Sequence, residues 1–211
     1  MLTLNVDPNA CRPEDLASAV SFLRMGGIVA FPTDTLYGLA VDPSSEEAVH
    51  YLFELKGRPA SAAVPFVAAS REQVTKWCGL SGDAERLANA FWPGPLSLIC
   101  EAPASIVPAI HASLGTVAVR VPAHRVAVAL AQAWGSPLPA TSANLSGQVP
   151  AVRADQLAAL TSPRLMVIDG GPAAGGAPST IVDARHSPAS PPMLVREGAI
   201  GWERVLNSLQ R

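Results

Sequence analysis

The chain has no Gly-x-x-x-x-Gly-Lys-Ser/Thr phosphate loop, no dinucleotide-binding glycine fingerprint and no Gly-x-Ser-x-Gly elbow. The usual sequence warrants for a P-loop enzyme, a dinucleotide enzyme and a serine hydrolase are therefore missing. Cysteine is scarce: Cys11, Cys78 and Cys100 are odd in number, widely separated, and form neither a zinc pair nor a redox pair. They are expected to be buried thiols, with a catalytic cysteine as the alternative. His50, His111, His124 and His186 lack metal-ligand spacing, so no protein-bound metal is expected. Charge is sparse too, at 15% of 211 residues with a net value of −2. That gives no reason to expect tight, nonspecific nucleic-acid binding, although a local basic cleft stays open. Lys56 and Lys76 are the only lysines, so positive charge is mostly arginine, which suits two-pronged contacts to carboxylate or phosphate. No apolar run is long enough to cross a bilayer, and Met1 to Asp7 lacks the basic and apolar zones of a secretion signal. A cytoplasmic protein is expected.

What is present is apolar patterning. Hydrophobic residues make up 49% of the chain, which excludes disorder and suffices for one substantial core. A helix should start at Pro13-Glu14-Asp15, align Leu16, Val20 and Leu23, and stop at Gly26-Gly27. Ser45-Glu46-Glu47 should open a second helix, and Ser70-Arg71-Glu72-Gln73 reads as a capping box for a third. Further helices are expected over 84–91, 126–134, 155–160 and 201–209. Strands are expected over 28–31, 64–68, 96–101, 117–121, 138–141, 165–169, 179–183 and 193–196. Trp92-Pro93-Gly94-Pro95 must be a turn. Elements alternate in places and strands crowd the later half, so the expectation is one α/β domain over 1–211 with a mixed sheet. Gly170 to Gly176 is glycine-rich but has the wrong pattern for a phosphate loop, and reads as a plain turn.

Three stretches could carry chemistry. Phe31-Pro32-Thr33-Asp34-Thr35-Leu36-Tyr37-Gly38-Leu39 leaves a buried strand and presents polar groups where α/β folds favour ligands. It could equally be a turn whose hydroxyls bond their own backbone. Lys56-Gly57-Arg58-Pro59 closes a helix, where cations also offset the helix dipole. Thr141, Ser142, Asn144 and Ser146 gather hydroxyls and an amide ahead of Gly147, to grip a phosphate or nucleoside or simply to cap the next element. Arg120 and Arg196 end apolar strands, where a charged group needs a partner in the protein or in a ligand.

In this order the stretches resemble the YrdC-like (TsaC-type) family of threonylcarbamoyl-AMP synthases. The resemblance runs from about Asp15 to Ile200. It rests on Pro32 to Leu39, Lys56 to Pro59, Trp92 to Leu96, Val119 to Pro122, Ser142 to Gly147, Ser179 to Asp183 and Arg196 to Ile200. It implies a twisted mixed α/β sheet with flanking helices around a large concave cleft. It also implies that L-threonine, bicarbonate and ATP, with Mg²⁺ on the ATP, give threonylcarbamoyl-AMP and pyrophosphate. Other enzymes would pass the threonylcarbamoyl group to adenosine 37 of tRNA, with a tRNA contact conceivable and no membrane partner. On this chain Thr35 and Arg120 would hold threonine, with Thr33, Tyr37 and Thr141 nearby and Ser179 closing the pocket. Lys56 and Arg58 would be catalytic and contact the ATP phosphates. Thr116, Ser142, Asn144 and Arg196 would line the nucleotide side. Where many relatives carry Lys or Asn and then Pro-Leu, this chain has Ala62-Ala63-Val64. Ending at Arg211, the chain should lack the extra C-terminal domain of longer relatives. The competing expectations are an RNA-binding maturation factor, a related carbamoyl-adenylate enzyme, and a scaffold with a decayed site.

Overall fold

Local sequence accounts for most helices in the computed structural model, which describes residues 2–57, 63–185 and 191–210. Strand β1 (Leu2–Asn5) leads through a 3-10 turn at Pro13–Leu16 into α1 (Ala17–Arg24). Strands β2 (Ile28–Pro32) and β3 (Tyr37–Ala40) form a hairpin around residues 33–36. Helix α2 (Glu46–Lys56) starts where Ser45 accepts the amide of Ala48, and ends at Gly57, whose φ of 57° is left-handed. After β4 (Phe66–Val67), α3 (Arg71–Cys78) begins with Ser70 Oγ accepting from the Gln73 amide. Gln73 reciprocates one residue earlier than a strict capping box, accepting from the amide of Ala69. Then come α4 (Gly82–Phe91), β5 (Leu96–Glu101), β6 (Thr116–Arg120), α5 (Arg125–Trp134), β7 (Leu138–Pro139) and β8 (Thr141–Ser142). The chain closes with β9 (Leu165–Asp169), β10 (Thr180–Asp183), β11 (Met193–Arg196) and α6 (Trp202–Leu209).

The strands build two mixed sheets rather than the one expected. The first has the order β1-β9-β2-β3-β8 and the second β11-β10-β5-β6-β4-β7. The expected strand over 138–141 is where they part. β7 pairs with β4 in the second sheet, Ala140 donates to Pro65, and β8 pairs with β3 in the first. Strand β3 has no counterpart among the expected strands. It is four residues long, contains Gly38 and is buried on both faces, so it shows no alternation. The segment 154–160 is 3-10 rather than α.

Burial explains how the sheets are held. Helices α1 and α5 cover one face of the first sheet through Leu16, Leu23, Phe31, Val126, Leu130 and Ile168. Helices α4 and α6 cover the second through Leu87, Leu96, Leu98, Val182 and Val205. A larger apolar cluster containing Leu39, Leu52, Phe66, Ile110 and Val119 ties residues of both sheets together. Each large aliphatic or aromatic side chain so buried contributes about 1.5–3 kcal/mol. No helix among the described residues is long and apolar enough to cross a membrane.

Candidate functional site

A cavity of about 460 Å³ opens between the two sheets. The β2–β3 turn, the end of β6, the start of β8, the segment 149–152, Ser179 and Arg196 all reach it. Its size falls in the range of small-molecule sites.

The turn is built by Thr33. Its hydroxyl donates to the Leu36 carbonyl at 2.7 Å and accepts from the amides of Thr35 (3.2 Å) and Leu36 (3.3 Å). Turn formation and function therefore coincide here. Arg120 at the end of β6 reaches across from the other sheet. Its Nη2 donates to Thr33 Oγ1 at 3.2 Å and to Thr35 Oγ1 at 3.3 Å. Its Nη1 faces Asp34 Oδ1 in a buried ion pair and the Gly94 carbonyl at 3.5 Å. The Trp92-Pro93-Gly94-Pro95 turn thus supports the back of the arginine. Thr33 donates its proton to Leu36, so in the 3.2 Å contact between the two hydroxyls Thr35 is the donor, and a guest acceptor would have to compete with Thr33 for that proton.

Asp34 is the residue beside the cavity that sequence reasoning left without a role. Its side chain is about 10% exposed, and its Oδ2 is buried with no hydrogen-bond partner among the described residues. His124, the residue before α5, likewise has an unpartnered buried Nδ1. Burial pushes the His124 imidazole below its ordinary pKa, with the Asp34 carboxylate pulling weakly the other way.

Lys56 is buried at 2% exposure. Its ammonium donates to the carbonyls of Ser142 (2.5 Å) and Asn144 (2.8 Å) and to Asn144 Oδ1 (3.2 Å). Asn144 Oδ1 also accepts from Ser142 Oγ at 2.6 Å, and the Ser146 amide donates to the Lys56 carbonyl. The left-handed Gly57 lets α2 end with its last side chain turned onto this loop. Three N–H groups and three acceptors make Lys56 the organiser of residues 142–146, and neither it nor Asn144 lines the cavity surface. Ser142 and Thr141 do line it. Arg58, Pro59 and Ala62 lie outside the described residues, as does His186, while Ala63 is on the cavity wall.

On the opposite wall, Arg196 donates through Nε and Nη2 to the Ser179 carbonyl at 3.2 and 2.7 Å, and Ser179 Oγ accepts from Ser97 Oγ at 3.0 Å. Gly198 permits this approach, since a Cβ there would sit 2.1 Å from the Pro178 carbonyl oxygen. Two expected residues are placed differently from the rest. Thr116 stands at the other end of β6 from Arg120, about 13 Å along the strand, and does not line the cavity. A nucleotide-facing position was expected of it, and it lies outside the lining of this cavity. Tyr37 lines the cavity, yet its hydroxyl donates to the Gly171 carbonyl at 2.7 Å. Burial pushes that phenol up to about 12. The Gly170–Gly176 loop, read as a plain turn, is a working part of the wall. The amide of Gly175 donates to the Thr35 carbonyl at 2.7 Å, and Gly176 faces the cavity. No motif flags it, because its role lies in contacts with residues far away in sequence.

The fold and the site define a class: α/β proteins whose ligand cleft lies between two mixed sheets, with an arginine and paired hydroxyls at its centre. The family described as "Telomere recombination", Sua5/YciO/YrdC, matches residues 21–198, and the chain belongs to it. A threonylcarbamoyl-AMP synthase of Pyrococcus abyssi is 39% identical over 189 residues, covering 89% of this chain and 55% of the relative. One from Stenotrophomonas maltophilia is 40% identical over 177 residues, covering 80% of this chain and 93% of the relative. The chain thus spans about half the length of the first and nearly all of the second. The crystal structure of P. abyssi Sua5 complexed with L-threonine superposes with a TM-score of 0.88 at 36% identity, covering 99% of this chain and 61% of that one.

Proposed function

We propose that this chain makes threonylcarbamoyl-AMP and pyrophosphate from L-threonine, bicarbonate and ATP. The observation that carries the proposal is the convergence of Arg120, Thr33 and Thr35 on one cavity. Support comes from a 36%-identical relative that was crystallised with L-threonine. Arg120 takes the amino-acid carboxylate and Thr35 the side-chain hydroxyl, a division that follows charge and donor capacity. Ser179 closes that end. Thr141 stands beside the threonine, Ser142 and Arg196 face the nucleotide, Lys56 holds the Ser142–Asn144 loop, and Arg58 supplies charge to the phosphates.

The reaction needs no protein nucleophile. The threonine amine combines with bicarbonate, losing water, to form a carbamate. A carbamate oxygen then bonds to the α-phosphorus of ATP as the bond to pyrophosphate breaks. The chain's part is positioning and charge neutralisation. ATP enters as its Mg²⁺ complex. On this reading the ion is carried by the triphosphate. The product would pass to enzymes that transfer the threonylcarbamoyl group to tRNA.

The test is incubation with ATP, Mg²⁺, bicarbonate and each amino acid in turn, with mass detection of the adenylate and assay of pyrophosphate. The expected result is an adenylate that requires both threonine and bicarbonate. Pyrophosphate release independent of either would overturn the reading.

A further inference from the structure

Cys78 and Cys100 stand 22 positions apart in sequence and suggest no pair, yet the fold places them together. Cys78 ends α3 and Cys100 lies near the end of β5. Both thiols are reduced, and both line a second cavity of about 310 Å³ outside the cleft. Cys78 also packs against the apolar cluster that contains Cys100. Cys78 is partly exposed and its Sγ donates to the Val74 carbonyl at 3.6 Å, whereas Cys100 is 3% exposed. Arg185 borders the same cavity and is bonded to Glu101 and Asp183. We propose that Cys78 and Cys100 form a dithiol site that a hydroperoxide converts to an intramolecular disulfide.

The geometry assigns each sulfur a part. A cavity of this size admits hydrogen peroxide, and the partly exposed Cys78 meets it first. Its sulfur bonds to one peroxide oxygen, the O–O bond breaks, and the thiol proton leaves with the second oxygen as water. Cys100 then attacks the Cys78 sulfenic acid. The S–S bond forms, the S–O bond breaks, and the Cys100 proton departs with that oxygen as a second water. Each sulfur gives up one electron and the peroxide takes both. The neighbouring Cys78 and burial both raise the Cys100 pKa, so it stays a thiol until its partner is oxidised. Closure to a bond length of about 2.05 Å would join two sulfurs that line the same cavity. Cys11 is buried elsewhere, against α1 and α5, and serves as an internal control. The competing view is that two small apolar side chains merely fill space.

The test exposes the full chain to dilute hydrogen peroxide, quenches, alkylates under denaturing conditions and maps the peptides by mass. The expected product is a Cys78–Cys100 cross-linked peptide, reversed by dithiothreitol, with Cys11 still alkylated. Cys78→Ser should slow loss of the Cys100 thiol by about tenfold or more, and Cys100→Ser should accumulate a dimedone-trapped sulfenic acid at Cys78. Conversion of Cys78 to sulfinic acid with Cys100 still alkylated would overturn the proposal. So would oxidation of Cys11 ahead of the pair, or oxidation of Cys100 in Cys78→Ser at the wild-type rate. The wild-type map decides the matter even where a variant folds poorly.

Discussion

Arg120 ends strand β6, Arg185 follows strand β10 by two residues, and both are ion-paired, but their partners differ in kind. Arg185 gives Nε and Nη2 to Asp183 and Nη1 to Glu101, so two carboxylates surround one guanidinium. Those bonds hold its pKa above the ordinary arginine value, the Asp183 bond contributing most. Arg120 has a single carboxylate partner, Asp34, and turns its other edge to two neutral hydroxyls. Arg185 is saturated with negative charge at a partly exposed position. Arg120 is buried, neutralised only once, and keeps an edge on which a guest carboxylate can replace or join weak acceptors. The difference is why we propose Arg120, and not Arg185, as the arginine that binds a guest: what separates them is the kind of partner each has.

The sharpest way to break this comparison is Arg120→Ala. It should reduce threonine-dependent adenylate formation by on the order of 10²-fold or more. By leaving Asp34 buried and uncompensated it should also destabilise the chain by about 3–5 kcal/mol in denaturant titration. Asp34→Asn keeps the shape and an acceptor oxygen but removes the charge, and should cost about 1.5–3 kcal/mol. If Asp34→Asn proved as silent as a surface change, Arg120 would not depend on its carboxylate. Thr35→Val should raise the KM for threonine about tenfold and leave that for ATP unchanged, because one hydrogen bond to a guest is lost. An equal rise for both substrates would contradict the division of the cleft proposed here.

A smaller effect concerns pH. The imidazole of His124 behind Asp34 is held below its ordinary value of 6.5, so near and below that pH the unfolded chain binds its proton more readily than the folded one. Stability should fall as pH drops through about 6.5 and the His124 contribution should level off below the folded pKa, a slope that His124→Asn should flatten in denaturant titrations. The smallest effect is expected on the Arg185 side. Glu101 is 74% exposed, and Glu101→Gln should change stability by less than about 1 kcal/mol with adenylate formation unaltered.

Much of this was legible along the chain. The helices after Ser45 and Ser70 carry their caps in the sequence, and the strands at 28–32, 96–101 and 165–169 are bounded apolar runs. The turn at Thr33 is visible too, since its hydroxyl acts on residues two and three positions on. Arg120 and Thr35 could be singled out as ligand groups, but not as each other's partners. The roles of Lys56 as a loop clamp, Asp34 as the arginine's counter-charge and Gly175 as cavity wall were hidden. Each depends on a residue more than 80 positions away. Cys78 and Cys100 are only 22 positions apart, but no local pattern shows that the end of α3 and strand β5 line one cavity.

By itself, then, the sequence determined the local pieces: caps, turns, buried strands and the chemical types available to a site. Those follow from interactions that reach only a few residues. Tertiary structure alone decided that the strands divide into two sheets at Ala140. It alone placed an arginine 85 residues beyond Thr35 so that its guanidinium meets that hydroxyl. Sheet order and cavity shape are set by the burial of apolar surface between distant segments, which no short-range pattern records.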